Sequence, residues 1–171
     1  MFAGYEKDSS SLRQKYKNLT GVRQISDVEK TIQQGIKFYP KTRRILVVCD
    51  SSKSSQVFEE NISKLKINGV KIETVNTTDK TIFEISNMIR TLDGNTLVLV
   101  CPWRGIREND YQSTPAFGMD IGRLSKKPYL IADISMLGFG ALGGWVTDPV
   151  EHGKHTVWLL EKTLDKKSAT D

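Results

Sequence analysis

Short β-branched apolar runs alternate with helical segments along the chain, and this alternation constrains the fold more than any other feature. Residues 43–50, 70–75 and 96–101 predict three strands, and the first and third are apolar enough to be buried on both faces of a parallel sheet. Because a helical segment separates each strand from the next, the connections predict right-handed crossovers. The expected fold class is therefore α/β, a three-layer sandwich with a mostly parallel sheet.

The helices are predicted from apolar residues at helical spacing. The first covers residues 27–39, with Ser26 and Glu29 placed as a capping box. A second follows the serine-rich turn after the first strand, and a third is capped by Thr78 or Asp79. The elements expected further along are a short helix at 117–124, strands at 128–134 and 141–146, and a last helix at 148–167.

Composition excludes several classes of protein. The 171 residues fit one domain, and 38% hydrophobic with 26% charged residues are not the composition of a disordered chain. The longest apolar runs are far shorter than a membrane span of about 20 residues. The net charge of +5 comes from basic residues scattered along the chain, so no nucleic-acid partner is expected. Residues 1–17 lack the apolar segment of a secretory signal peptide, which leaves the compartment open at this point.

Metal and thiol chemistry are also not expected. His152 and His155 share one face of the last helix, but the acids beside them, Asp148 and Glu151, are explained as first-turn residues that complement the helix dipole. The two cysteines belong to no CxxC motif and end the first and third predicted strands. In a doubly wound sheet of order 2-1-3 these strands are neighbours, so we expect two free thiols that approach each other.

Polar side chains follow the predicted strands at the edge where α/β sheets bind ligands. Asp50, Ser51, Ser52 and Ser55 follow the first strand, and Trp103 with Arg104 follows the third. Hydroxyls, a carboxylate, a guanidinium and an aromatic face suit a polar small molecule with a flat part. The serines form no GxSxG elbow, and the glycines at 138–144 form no GxGxxG motif. A binding site is therefore predicted, with no enzymatic activity and no cofactor.

Two stretches resemble a known family. The first contains FAG at residues 2–4, NLTGV at 18–22 and the helix that ends in PKTRRI at 40–45. The second contains PYLIAD at 128–133, LGFGALGG at 137–144 and EHGK at 151–154. Together they resemble substrate-binding proteins of ABC-type transporters of the tryptophan/tyrosine-binding kind, and related extracytoplasmic sensor domains of bacterial histidine kinases. The second stretch is closer to the sensor version.

The resemblance implies a domain organisation and a site. It implies a remnant of a first lobe and hinge crossing at residues 1–26, a periplasmic-binding-protein-like ligand lobe at 27–147, and a terminal helix and tail at 148–171. It carries ligand binding onto Asp50, Ser51, Ser52, Trp103 and Arg104, and adds Asp133, Gly138 and Phe139. Residues 134–136 and Phe139 depart from the family pattern, which leaves the ligand open beyond an amino-acid-like or other polar compound.

Several functional hypotheses follow. The main one is the extracytoplasmic sensor domain of a bacterial signal-transduction protein, in which ligand closes two lobes and acts on an output domain. The alternatives are the substrate-binding component of an ABC transporter, a flavodoxin-like or hydrolase-type enzyme domain, and the effector-binding domain of a transcription regulator. The sensor domain and the transporter component each require the missing first lobe.

The last helix carries an apolar stripe, which consists of Val150, Gly153, Val157, Leu160 and Leu164. In the family this helix returns to the first lobe. Without that lobe, the helix is expected either to fold back onto the sheet of its own lobe or to pair with a second copy in a homodimer.

Overall fold

A computed structural model describes residues 2–5, 14–24, 26–104, 106–107, 110–111 and 113–165. The chain divides into two compact units. Unit 1 consists of Met1–Ser26 and Thr147–Asp171, and unit 2 is Asp27–Val146. Residues 166–171 of the expected tail, and residues 1, 6–13 and 25 of the expected first-lobe remnant, lie outside the described residues.

The described elements alternate along the chain much as the pattern predicts. The strands are β1 (Phe2–Tyr5), β2 (Gly21–Arg23), β3 (Arg44–Cys49), β4 (Lys71–Asn76), β5 (Thr96–Val100), β6 (Ile106–Arg107), β7 (Asp110–Tyr111), β8 (Tyr129–Ile131) and β9 (Ala141–Gly143). The helices are α1 (Val28–Phe38), α2 (Lys53–Ile62), α3 (Ile82–Arg90), α4 (Thr114–Ser125) and α5 (Pro149–Leu164), with a 3₁₀ turn at Ile134–Met136.

A five-stranded sheet forms the centre of unit 2. Its order is β4-β3-β5-β8-β9, and each pair of neighbours is parallel. The first three strands of this sheet along the chain are β3, β4 and β5. In the sheet, β3 lies between β4 and β5, as in a doubly wound fold. The predicted α/β class with a mostly parallel sheet is confirmed.

Two layers of helices cover the sheet, because successive side chains of a strand point to opposite faces. Ile45 and Val47 of β3 pack in one core with residues of α1 and α2. Val48 belongs to a second core, which includes residues of α3 and α4. Both cores are closed, since Ile45, Val47 and Val48 are completely buried. The result is the expected three-layer sandwich.

Helix caps differ from the predicted ones by one to three residues. Asp27, not Ser26, caps α1 and accepts a hydrogen bond from the Lys30 amide at 2.9 Å. This hydrogen bond lowers the pKa of the Asp27 carboxyl below its usual value. At α3 the expected caps Thr78 and Asp79 are wrong. Thr81 caps that helix and completes a capping box with Glu84.

The two ends of unit 2 meet. The amide of Asp27 donates to the carbonyl oxygen of Trp145 at 3.0 Å. The amide of Trp145 donates in turn to the Thr31 hydroxyl at 2.7 Å, and Thr31 is buried in the first turn of α1. The chain therefore enters and leaves this unit at one place.

Unit 1 contains a parallel pair of strands, β1 and β2, and the helix α5, which contacts β2. Asp148 caps α5, and no residue of this helix is buried. Val150, Val157, Leu160 and Leu164 are 62%, 55%, 41% and 70% exposed, and what covers this stripe stays a prediction. Within the part of the chain that the structure describes, no helix is long and apolar enough to cross a membrane.

Candidate ligand-binding site

Asp50 lies at the carboxyl edge of the sheet. It follows β3 directly and is only 2% exposed. One carboxylate oxygen, Oδ1, accepts hydrogen bonds from the amide and the hydroxyl of Ser52, at 3.1 and 2.5 Å. The other, Oδ2, accepts from the amide of Arg104 at 2.6 Å. The buried carboxylate therefore joins the loop after β3 to the loop after β5.

The serines after Asp50 open helix α2. Ser52 is its N-cap and accepts from the amide of Ser55 at 3.4 Å. The Ser55 hydroxyl is buried and accepts from the amide of Asp50 at 3.0 Å. Both side chains thus satisfy backbone groups of this loop, and the first turn of α2 contains no acidic residue.

An exposed cluster of polar groups lies beside this loop. The hydroxyl of Ser51 accepts from the Thr78 hydroxyl at 2.8 Å and from the Asn76 side-chain amide at 3.2 Å. Thr78 also accepts from the Ser51 amide at 2.8 Å. Ser51 and Asn76 are exposed, so these groups face solvent. Asn76 and Thr78 were not among the predicted site residues, although the strand-end rule that selected Ser51 applies equally to the end of β4.

Trp103 does not provide the exposed aromatic face that was expected. It is 5% exposed, and its ring stacks on Phe117 with centroids 3.9 Å apart. Its indole nitrogen donates to the Thr77 hydroxyl at 3.1 Å, and that hydroxyl donates to the Cys49 carbonyl oxygen at 2.9 Å. Trp103 is therefore a core residue that anchors the loop after β5 at the predicted edge of the sheet, and its contact with a ligand stays a prediction.

Arg104 follows at the surface. Its side chain is exposed, while its amide is held by Asp50. The structure thus brings Asp50, the serines and Arg104 to one edge of the sheet. A guanidinium on the same edge as hydroxyl and amide groups is suited to an anionic or hydrogen-bonding group such as a carboxylate.

Two of the three late residues, Gly138 and Phe139, are not part of this cluster. Asp133 follows β8 and caps the 3₁₀ turn, where its Oδ1 accepts from the Ser135 amide at 2.9 Å. Gly138 and Phe139 come just before β9. Because β9 runs parallel to β8, the chain must return towards the amino edge of the sheet before β9 begins, and these two residues lie in that connection. The carbonyl oxygen of Phe139 lies against α4, where a Cβ added to Gly122 would clash with it. The structure therefore separates Gly138 and Phe139 from Asp50.

The cysteines lie directly beneath the Asp50 loop. Both are free and buried, and their Sγ atoms are 2.9 Å apart, so the expected approach of the two thiols is confirmed. Among the described residues, no group of three or more His, Cys, Asp and Glu side chains is placed to hold a metal ion.

Comparison with known proteins identifies the family. The model of the ABC transporter substrate binding protein family matches residues 9–171. Because the match covers most of the chain, this protein belongs to that family, and the resemblance seen in its sequence is confirmed. The match supports an ABC-transporter-type substrate-binding domain, the alternative hypothesis, better than a sensor.

Two solved structures share the fold. One is the ABC domain in complex with L-Trp from Streptococcus pneumonia, at a TM-score of 0.63 and 19% identity, covering 90% of this chain and 52% of that one. The other is a conserved domain protein from Vibrio cholerae O1 biovar El Tor, at a TM-score of 0.60 and 20% identity, covering 89% and 50%. This chain thus spans about half the length of each. A search of curated proteins finds no match.

Proposed function

We propose that this chain is the second lobe of a two-lobed, extracytoplasmic substrate-binding protein of an ABC transporter. Ligand would bridge the lobes and stabilise their closed arrangement. The family match supports this role, and so does the fact that the chain spans about half of two structures of the same fold. The lobe acts by binding, without catalysis and without a cofactor. Unit 1 would belong to the first lobe, with residues 27–146 as the ligand lobe.

The ligand-binding surface we propose is the exposed polar edge formed by Ser51, Asn76, Thr78 and Arg104. The single observation that carries it is the Asp50 carboxylate, which fixes the backbone of the loops after β3 and β5 in one arrangement. Asp50, Ser52 and Ser55 position that edge, because their hydrogen bonds are made within the loop.

The proposed ligand is a small amino-acid-like compound. Arg104 and the hydroxyl groups would hold its carboxylate. The solved structure with L-Trp, which shares this fold, supports an amino acid as the class of ligand. Since Trp103 is buried against Phe117, a flat side chain of the ligand would be met by the first lobe.

Titration of the isotope-labelled chain with L-tryptophan, followed by amide NMR shifts, tests this site. We expect weak, millimolar binding, because one lobe supplies only part of the contacts, and shifts centred on residues 51–55, 76–78 and 104. Arg104→Ala should weaken binding about tenfold or more, since it removes a charged hydrogen-bond donor. The control is Arg123→Ala, an exposed arginine in the last turn of α4.

Two outcomes would contradict the site. One is a set of shifts centred on residues 67–70, at the amino edge of β4. The other is an equal change of affinity in the Arg104→Ala and Arg123→Ala variants.

The apolar stripe of α5 has a partner in this proposal. Its members follow each other at steps of three and four residues, the spacing that packs one helix against another, and the four large ones are exposed. We propose that the first lobe covers the stripe in the two-lobed protein. In the 171-residue chain alone, a second copy would cover it and give a homodimer.

Light scattering over a range of concentrations tests the pairing. A dimer is expected for the chain, and Leu160→Gln, which puts an amide into the stripe, should return it to a monomer. Leu142→Gln, a similarly exposed leucine in unit 2, is the matched control and should leave the dimer unchanged. A chain that stays monomeric at high concentration contradicts pairing through α5.

A sensor domain linked to an output domain is the second candidate. Residues 128–133 and 137–144 favour it, because they resemble the sensor version of the family more closely. An open reading frame that continues into a membrane helix and a kinase domain would decide for the sensor, and one that lies beside a permease gene would decide for the transporter.

A further inference from the structure

The two cysteines are directly opposite each other in neighbouring strands. Val48 pairs with Val100 in the parallel register of β3 and β5, and each is followed at once by a cysteine. The Cys101 amide donates to the Val48 carbonyl oxygen at 3.0 Å, so the pairing continues to this point. Both side chains belong to the same core, on the face covered by α1 and α2.

The distance between the sulfurs suits bond formation. At 2.9 Å they are about 0.9 Å beyond the length of a disulfide bond. Neighbouring strands lie about 4.8 Å apart, which falls within the Cα separation of about 4.4–6.8 Å that disulfides span. A small movement of the two side chains is therefore enough to join them.

We propose that Cys49 and Cys101 are a redox pair, which a low-molecular-weight disulfide such as oxidised glutathione converts into a disulfide bond between β3 and β5. The thiolate of one cysteine attacks the glutathione disulfide and releases one glutathione. The second cysteine loses its proton, attacks the mixed disulfide and releases the other. Two S–H groups thus become one S–S bond, and the two electrons reduce one glutathione disulfide to two glutathione thiols. This proposal does not depend on the proposed ligand site.

Burial controls when the reaction occurs. Both cysteines are completely buried, so an external disulfide reaches them only when this part of the chain opens. Burial, together with the neighbouring Cys49, also raises the pKa of the Cys101 thiol well above its usual value, which keeps the reactive thiolate scarce. The bond is expected to form quickly during refolding and slowly in the folded protein.

The position of the bond gives it an effect on the site. Cys49 precedes Asp50, and Cys101 lies three residues before Arg104. A disulfide here fixes covalently the same two loops that the Asp50 carboxylate joins by hydrogen bonds. It would also close a loop of about 50 residues, which restricts the unfolded chain.

Refolding with oxidised glutathione, followed by unfolding and alkylation, tests the proposal. We expect intact mass to show no alkyl groups on the oxidised chain and two on the chain refolded in reductant. The oxidised chain should melt roughly 5–15 °C higher, as expected for a loop of this size. Cys49→Ala is the control, and oxidised glutathione should not raise its melting temperature.

The mass measurement on the unmodified sequence decides the matter even if the variant folds poorly. Two alkyl groups after refolding in oxidised glutathione would overturn the proposal. A stable glutathione adduct on each cysteine would also overturn it, because the second attack would then not take place.

Discussion

Replacing Trp103 by alanine is expected to lower the free energy of unfolding by about 3–5 kcal/mol, a large share of the total stability of a domain. The side chain is 5% exposed and stacks on Phe117 with the two rings 12° from parallel. Its removal leaves a cavity between the sheet and α4, and leaves the Thr77 hydroxyl without a donor. Urea denaturation followed by circular dichroism measures the loss.

Two variants calibrate that result. Trp145 is 53% exposed, so Trp145→Ala should cost no more than about 1 kcal/mol. Trp103→Phe keeps a stacked ring but loses the hydrogen bond to Thr77, and should cost about 1–2 kcal/mol. If Trp103→Ala destabilised the protein no more than Trp145→Ala, Trp103 would not be the core residue described above.

Replacing Asp50 by alanine is expected to lower the free energy of unfolding by about 2–4 kcal/mol. The carboxylate accepts hydrogen bonds from two groups of Ser52 and from the Arg104 amide, and these donors would lose their partner in a partly buried place. The loop after β5 would also lose its attachment to the loop after β3. Chemical denaturation gives the loss of stability, and amide NMR shows whether Arg104 becomes mobile.

Asp79 provides the matched control, because it is an exposed aspartate in the turn after β4. Asp79→Ala should change stability by no more than about 0.5 kcal/mol. Asp50→Asn retains one oxygen acceptor for the Arg104 amide and should recover a substantial part of the loss. Equal losses for Asp50→Ala and Asp79→Ala would show that the carboxylate does not join the two loops.

The sheet could be predicted well because its signal is local. Apolar runs such as those of β3 and β5 are separated by segments with helical periodicity. This pattern allows few arrangements other than a doubly wound sheet. The predicted bounds differ by a few residues where the end of an element depends on a cap. Ser26 and Asp27 are both good N-caps, and the path of the chain decides between them.

The candidate site could be predicted only in part. The strand-end rule placed Asp50 and Arg104 on one edge, but their role in ligand binding remains a prediction. A tryptophan after a buried strand can face a ligand or the core, and its burial depends on the position of Phe117 on α4, the next helix along the chain. The placement of Phe139 depends on contact with Gly122, and no local pattern signals that contact.

Asp27 begins unit 2, Trp145 is its second-to-last residue, and one backbone hydrogen bond joins them. A unit with adjacent ends can be inserted into a loop of a host protein, or excised, without separating any of its sheet strands. Only a short linker would be needed to join the ends, and short closures cost little entropy.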